Sequence, residues 1–232
     1  MSDFLKFERD GLDFPFYNDG LSKNQWMVLC FGLLLTVLLV LCSNILKPII
    51  SETVFRILIC IIPASAFLYV SKGDFSLIIK KPAKKDFILI IGMVILSYIY
   101  TAIVSVILTT VFGIQISAHT ALPVNNIIFY FITLIQLFGE ELIKFLLFII
   151  LFTLLFRYTK DRKVVMIVST LLTLACFGLM HYSVYSGKIL QILLIQGLGS
   201  IFTMFAYLKT KNIFVSYMIH FIIDFISVIS PV

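Results

Sequence analysis

Long apolar runs broken by short polar clusters dominate the chain. A helix that crosses a bilayer needs about 20 largely apolar residues. Seven stretches qualify or come close: 26–46, 53–70, 87–112, 127–156, 164–181, 189–208 and 213–229. The second is short, contains Pro63 and carries Arg56 near one end. The third and fourth are long enough that they must tilt or extend beyond the bilayer. The pattern predicts an all-α polytopic transmembrane bundle of about seven spans. Residues 1–25 form a cytoplasmic or interfacial tail, and 26–232 form a single transmembrane domain. Residues 4–16, with their aromatics and acids, are expected as an interfacial helix, and 71–86 as a solvated cytoplasmic loop close to lipid headgroups. No internal repeat or low-complexity segment is visible.

Composition agrees with this pattern. Of 232 residues, 61% are hydrophobic and 13% charged, and the mean hydropathy is +1.10. Soluble domains are about a quarter charged. The net charge of +6 reflects topology rather than a nucleic-acid partner, because the basic residues collect in alternate loops. Lys6, Arg9, Lys23, Lys72, Lys80, Lys81, Lys84, Lys85, Arg157, Lys160, Arg162, Lys163, Lys209 and Lys211 fall on one side. Lys47, Arg56 and Lys188 fall on the other. The positive side is expected to be cytoplasmic, which puts the N-terminus inside. The first 25 residues are polar and mixed in charge, unlike a cleavable signal peptide. Cys30, Cys42, Cys60 and Cys176 form no CxxC pair and are expected as buried packing residues. The many Tyr and Phe residues are expected as lipid-facing or interfacial bulk.

Apart from Arg56 near the end of the second, four charged residues stand inside spans: Glu140, Glu141, Lys144 and Asp224. Each would cost about 2.5–3.5 kcal/mol at mid-bilayer if it faced lipid. They should therefore face inward and meet each other or water. His181 closes the fifth span and His220 lies in the seventh, while His119 sits in the loop before the fourth and is expected to be an ordinary loop histidine. Helical spacing groups these residues. Glu140 and Lys144 are i and i+4 and can pair, with Glu141 about 100° round the helix. Phe177 and His181 are i and i+4, as are His220 and Asp224, so that one carboxylate can orient the ring. Depth fits less evenly. At about 1.5 Å per residue, Glu140 lies ~25 Å from Arg157 and His181 ~27 Å from Lys163, but His220 only ~14 Å from Lys211. The seventh helix must tilt or start elsewhere. Gly197, Gly199 and Ser200 are expected to permit close helix packing.

Three motifs in order, on separate spans, resemble the CPBP (Abi) family of CAAX-processing and bacteriocin-processing intramembrane proteases. The family's patterns are EExxxR, FxxxH and HxxxN/D. This chain has Glu140 and Glu141 with Lys144, then Phe177 with His181, then His220 with Asp224. The motif region runs over about 130–228. Lys144 stands where the family has arginine, which keeps the charge but loses the planar fork.

The resemblance implies hydrolysis of a peptide bond within or near the membrane. Amide hydrolysis needs an activated water and oxyanion stabilisation. Glu140 is the first choice as base, with Glu141 and Lys144 orienting it and His181 helping to hold the water. By analogy with the family, His220 and Asp224 would stabilise the oxyanion. Glu140, His181 and His220 would also make a two-histidine, one-carboxylate zinc set with an open position, although the metal-free version is preferred. The implied partner is a membrane-embedded or lipid-associated peptide or protein: a bacteriocin leader, a peptide pheromone or a CAAX-like substrate. The implied setting is a multi-pass protein of the bacterial plasma membrane.

Other protease types lack their signatures. There is no HEXXH, Gly197–Leu198–Gly199 is followed by Ser200 rather than Asp, and no rhomboid-like GxS pairs with a helical histidine. Two readings of other classes stay open. One is a non-catalytic CPBP-like scaffold or bacteriocin self-immunity protein. The other is a proton- or cation-coupled transporter, against which the lack of an inverted repeat counts.

Overall fold

The computed structural model describes residues 5–9, 11–17, 20–46, 48–117 and 127–229. The loop histidine His119, with Asp3, Asp10, Asp19 and Lys47, lies outside the described residues.

The structure is all-helical, and each of the seven predicted stretches holds a helix. These are α1 (Lys23–Leu41), α2 (Glu52–Val70), α3 (Lys84–Thr110), α4 (Ile127–Thr159), α5 (Arg162–Leu179), α6 (Ile189–Thr210) and α7 (Ile213–Ile229). The first six are long and apolar enough to cross a membrane, so the protein is membrane-embedded and multi-pass. At 17 residues, α7 is shorter than a full span.

Polar residues at the helix ends start the helices where the apolar pattern begins. Ser22 and Gln25 form a reciprocal capping box on α1. Ser51 caps α2, and the Asp161 carboxylate accepts from the Lys163 and Val164 amides to start α5. The tight α4–α5 and α6–α7 turns pass through Lys160 and Lys211, both in the left-handed region.

The centre of the bundle is α4, with 56% of its apolar window buried against 17% for α3. It packs on α1, α2, α5 and α7, and α3 closes the far side against α6 and α7. α6 is irregular, with a π segment at Ile192–Gly197 and a 3-10 turn at Leu198–Ser200. The Tyr100 hydroxyl of α3 donates to the Leu194 carbonyl in that segment (2.8 Å). α5 crosses there at Gly178 and Gly197, where a side chain on either would meet the other's backbone below 3.5 Å. The expected close packing thus holds for Gly197, whereas Gly199 makes only ordinary contact with Tyr100.

Several expectations about the periphery change. Phe14, Phe67, Phe145, Phe148, Phe152 and Tyr207 form an interior aromatic cluster rather than lipid-facing bulk. The cysteines are not buried: Cys30 and Cys176 are exposed, Cys42 and Cys60 intermediate, and all four are free. The described part of 4–16 forms turns, not an interfacial helix, and inserts into the end of the bundle. The 71–86 loop also turns inward, with Ile78 fully buried.

Lys211 and Arg162 are not solvated loop cations. Lys211 is 1% exposed. Its ammonium meets Glu8 Oε2 at 2.7 Å, and Arg162 grips both Glu8 oxygens at 2.7 Å and Asp13 at 2.9 Å. The same turn is held from the other side. Asn212 exchanges two hydrogen bonds with the Lys80 backbone, and the Ile213 amide donates to the Ile78 carbonyl (2.7 Å). The α6–α7 turn is therefore sunk inside the bundle. α7 thus starts from a turn covered by protein on both sides, and it brings His220 within 3.9 Å of Glu140.

Burial by itself would raise the Glu8 pKa, but the hydrogen bonds from Arg162, Lys211 and the Leu5 amide outweigh it and hold it at about 2. Burial pushes Lys211 down to about 8, against the pull of Glu8. A depressed carboxylate stabilises the fold above its ordinary pKa, and that stability is lost as pH falls. Thermal unfolding in detergent should therefore show stability declining as pH drops from 4.5 towards about 2. Glu8→Gln should flatten this decline and, at neutral pH, cost about 3–5 kcal/mol by leaving two buried cations short of a partner.

Candidate active site

The site forms where α4, α6 and α7 meet beside the end of α5. Gly139 lets α4 approach α2 closely: a Cβ there would come within 2.7 Å of the Cys60 Cα and the Ile59 carbonyl. The two glutamates follow at once, and helical geometry points them to different partners.

Glu141 is 3% exposed and has both oxygens filled. Its Oε1 accepts from Lys144 Nζ (2.5 Å) and His220 Nδ1 (2.8 Å), and its Oε2 accepts from the Ser216 hydroxyl (2.5 Å). Lys144, itself 2% exposed, also donates to Thr203 on α6 (2.9 Å) and lies 4.6 Å over the Phe177 ring. The expected Glu140–Lys144 pair is thus replaced by Glu141–Lys144, spaced i, i+3. The reason is tertiary: Thr203 and Phe177 hold the ammonium on the Glu141 side. A cavity of ≈ 10 Å³ adjoins this network, lined by Glu141, Lys144, Tyr207 and Ser216 among others, roughly the room one water needs. The Tyr207 hydroxyl is buried without a hydrogen-bond partner among the described residues, and a water there would supply one.

Glu140 is differently placed. Its Oε1 accepts from the Gln136 amide (2.7 Å), while Oε2 faces His220 Nε2 at 3.9 Å. Asp224 Oδ1 also lies 3.9 Å from that nitrogen. The pre-committed Nδ1–Glu141 bond leaves Nε2 as the nitrogen turned to the two freer carboxylates. A separation of 3.9 Å is too long for a direct hydrogen bond, and a water is the natural bridge across it.

His181 sits just past the end of α5. Its Nδ1 is 3.0 Å from the Phe177 carbonyl, and its ring makes an edge contact with Phe177 (4.9 Å) and lies 6.2 Å from Tyr185. Burial raises the Tyr185 pKa, and the carboxylates of Asp224 and Glu140 raise it further, so its hydroxyl stays protonated beside the site. The structure therefore brings Glu140, Glu141, Lys144, His220 and Asp224 into one cluster, with Phe177 under the lysine and His181 reached through Phe177 and Tyr185.

Among the described residues no three His, Cys, Asp or Glu side chains are grouped to hold a metal ion. Glu140 and His220 approach each other at 3.9 Å, while the His181 ring packs on Phe177 and Tyr185.

Residues 122–226 match the family model Rce1-like, type II CAAX prenyl endopeptidase. The match covers somewhat less than half of the chain and supports the resemblance of this segment to the CPBP family. It contains every motif residue from Glu140 to Asp224, and the family is one of CAAX-type intramembrane proteases. No curated protein and no solved structure matches the chain.

Four residues of the candidate site escaped the reading of the sequence: Gln136, Thr203, Ser216 and Tyr185. Gln136 and Ser216 had a signal, since each stands four residues before a motif residue in an apolar helix. Thr203 and Tyr185 had none. Gly139→Ala should force α2 away from α4 and lower stability by about 1–3 kcal/mol, read as a fall in the unfolding midpoint of the purified protein in detergent.

Proposed function

We propose that the protein is an intramembrane endopeptidase that hydrolyses a peptide bond in a membrane-associated peptide or protein, with Glu140 as the base that activates water. One observation carries this choice. Glu141 has no oxygen free, whereas Glu140 keeps Oε2 open towards His220 Nε2 at 3.9 Å.

A water held between Glu140 Oε2 and His220 Nε2 would give its proton to Glu140 as its oxygen attacks the scissile carbonyl. Negative charge then develops on the former carbonyl oxygen. His220 Nε2, when protonated, and Asp224, when it carries a proton, are the donors aimed at that region. Protonated Glu140 returns the proton to the leaving amine as the C–N bond breaks, which restores the carboxylate. Glu141 and Lys144 act one step back, fixing the His220 ring. The neutral Tyr185 hydroxyl stands beside Asp224 and Glu140, with His181 packed behind it.

The basic end of the bundle is read as cytoplasmic and the membrane as a bacterial plasma membrane. A bacteriocin leader, a peptide pheromone and a CAAX-like protein are the substrate classes the family suggests.

Terminal peptidomics of host membranes and medium, with wild type and Glu140→Gln at equal expression, tests the reading. Peptides present only with wild type should appear, and the substitution should slow their release by at least about 10²–10⁴-fold. Identical peptide profiles, with the variant still giving the wild-type phenotype, would overturn the protease assignment in favour of a scaffold or immunity role.

A further inference from the structure

Lys144 serves Glu141, which leaves open what holds Glu140. We propose that Gln136 and Arg56 are positioning residues for Glu140, and that α2 thereby supplies the cation that the motif's own lysine gives to the neighbouring glutamate. The inference rests on the reading of Glu140 as the base.

A continuous hydrogen-bonded chain leads to Glu140 from the start of α2. Glu52 Oε1 accepts from Arg56 Nε (3.1 Å) and Nη2 (2.6 Å). Arg56 Nη1 donates to Gln136 Oε1 (2.8 Å) and reaches Thr133 Oγ1 (3.4 Å). Gln136 Nε2 donates to Glu140 Oε1 (2.7 Å). The amide can sit only one way round, because a guanidinium offers donors alone and an ionised carboxylate acceptors alone. Glutamine suits this place because a neutral amide accepts at one end and donates at the other. The cation polarises the amide, which strengthens the bond it gives to Glu140.

The geometric consequence is at the other oxygen. With Oε1 tied to the turn before it, Glu140 loses rotation about its last torsion, and Oε2 is held towards His220. Gly139 brings α2 near enough for Arg56 to reach. None of the three CPBP motifs contains Gln136 or Arg56, so the chain lies outside the signature that marks the site.

Two readouts test it. The first is the release rate of the Glu140-dependent peptides. Gln136→Met keeps side-chain length but removes both hydrogen bonds, and should slow release about 10²-fold, the scale of a reacting group displaced by 1 Å. Arg56→Gln should slow it about tenfold as the amide loses its anchor. Arg56→Lys should recover part of the loss, and the double variant should be no slower than Gln136→Met alone. The second readout is infrared spectroscopy of the protein in liposomes. Wild type minus Glu140→Gln isolates the carboxyl bands of Glu140, and Gln136→Met and Arg56→Gln should both shift them. Losses that add in the double variant, track a lower unfolding midpoint and leave the bands in place would overturn the proposal and make the chain a helix fastener. If wild type and Glu140→Gln release the same peptides, the base assignment fails instead. Band shifts would then show that the chain holds a carboxylate with no part in proteolysis.

Discussion

A carboxylate taken out of water must have its oxygens filled from within the protein, and Glu141 is where this chain meets that demand. Three donors converge on it, two from α7 and one from the next turn of its own helix. Each is needed because an ion pair alone repays the desolvation of two buried charges only when the remaining hydrogen-bonding sites are also satisfied. The convergence joins α4 to α7 directly and to α6 through Lys144 and Thr203. It also determines which nitrogen of His220 faces Glu140. The adjacent glutamates thus divide into one that is saturated and holds the frame, and one that keeps an oxygen turned towards His220.

A second buried ion cluster sets the depth at which this happens. Glu8 pairs with both Arg162 and Lys211 at the end of the bundle, and Asp13 adds a second carboxylate on the arginine. Only because of those contacts can a turn containing a lysine leave the surface. The sunken turn lets a 17-residue helix bring His220 level with a glutamate in the middle of a much longer one. Tyr207 and the aromatic rings around Phe14 fill the space between the two clusters.

Much of this was legible in the chain. Apolar run length located all seven helices, and the cost of lipid-exposed charge singled out Glu140, Glu141, Lys144 and Asp224. Two histidines at helical spacing completed the set. What failed was pairing. Helical spacing allowed Lys144 to meet either glutamate, and Thr203 and Phe177, distant in sequence, decided between them. The basic-loop pattern placed Lys211 and Arg162 in water because nothing local marks a lysine whose partner lies some 200 residues away. The N-terminal aromatics looked interfacial for the same reason.

By itself the sequence determined that the chain enters the membrane as helices, where they run, and which ionisable groups must turn inward. Those properties follow from local hydropathy and from the 3.6-residue period, which assigns each side chain to a face of its own helix. Only the tertiary structure decided which carboxylate is spent on the frame, which stays open, and how Gln136 and Arg56 reach it. A helical period says nothing about the neighbour a face will meet. That depends on how closely helices cross at Gly139, Gly178 and Gly197, and on which buried donors remain once every charge has found its partners.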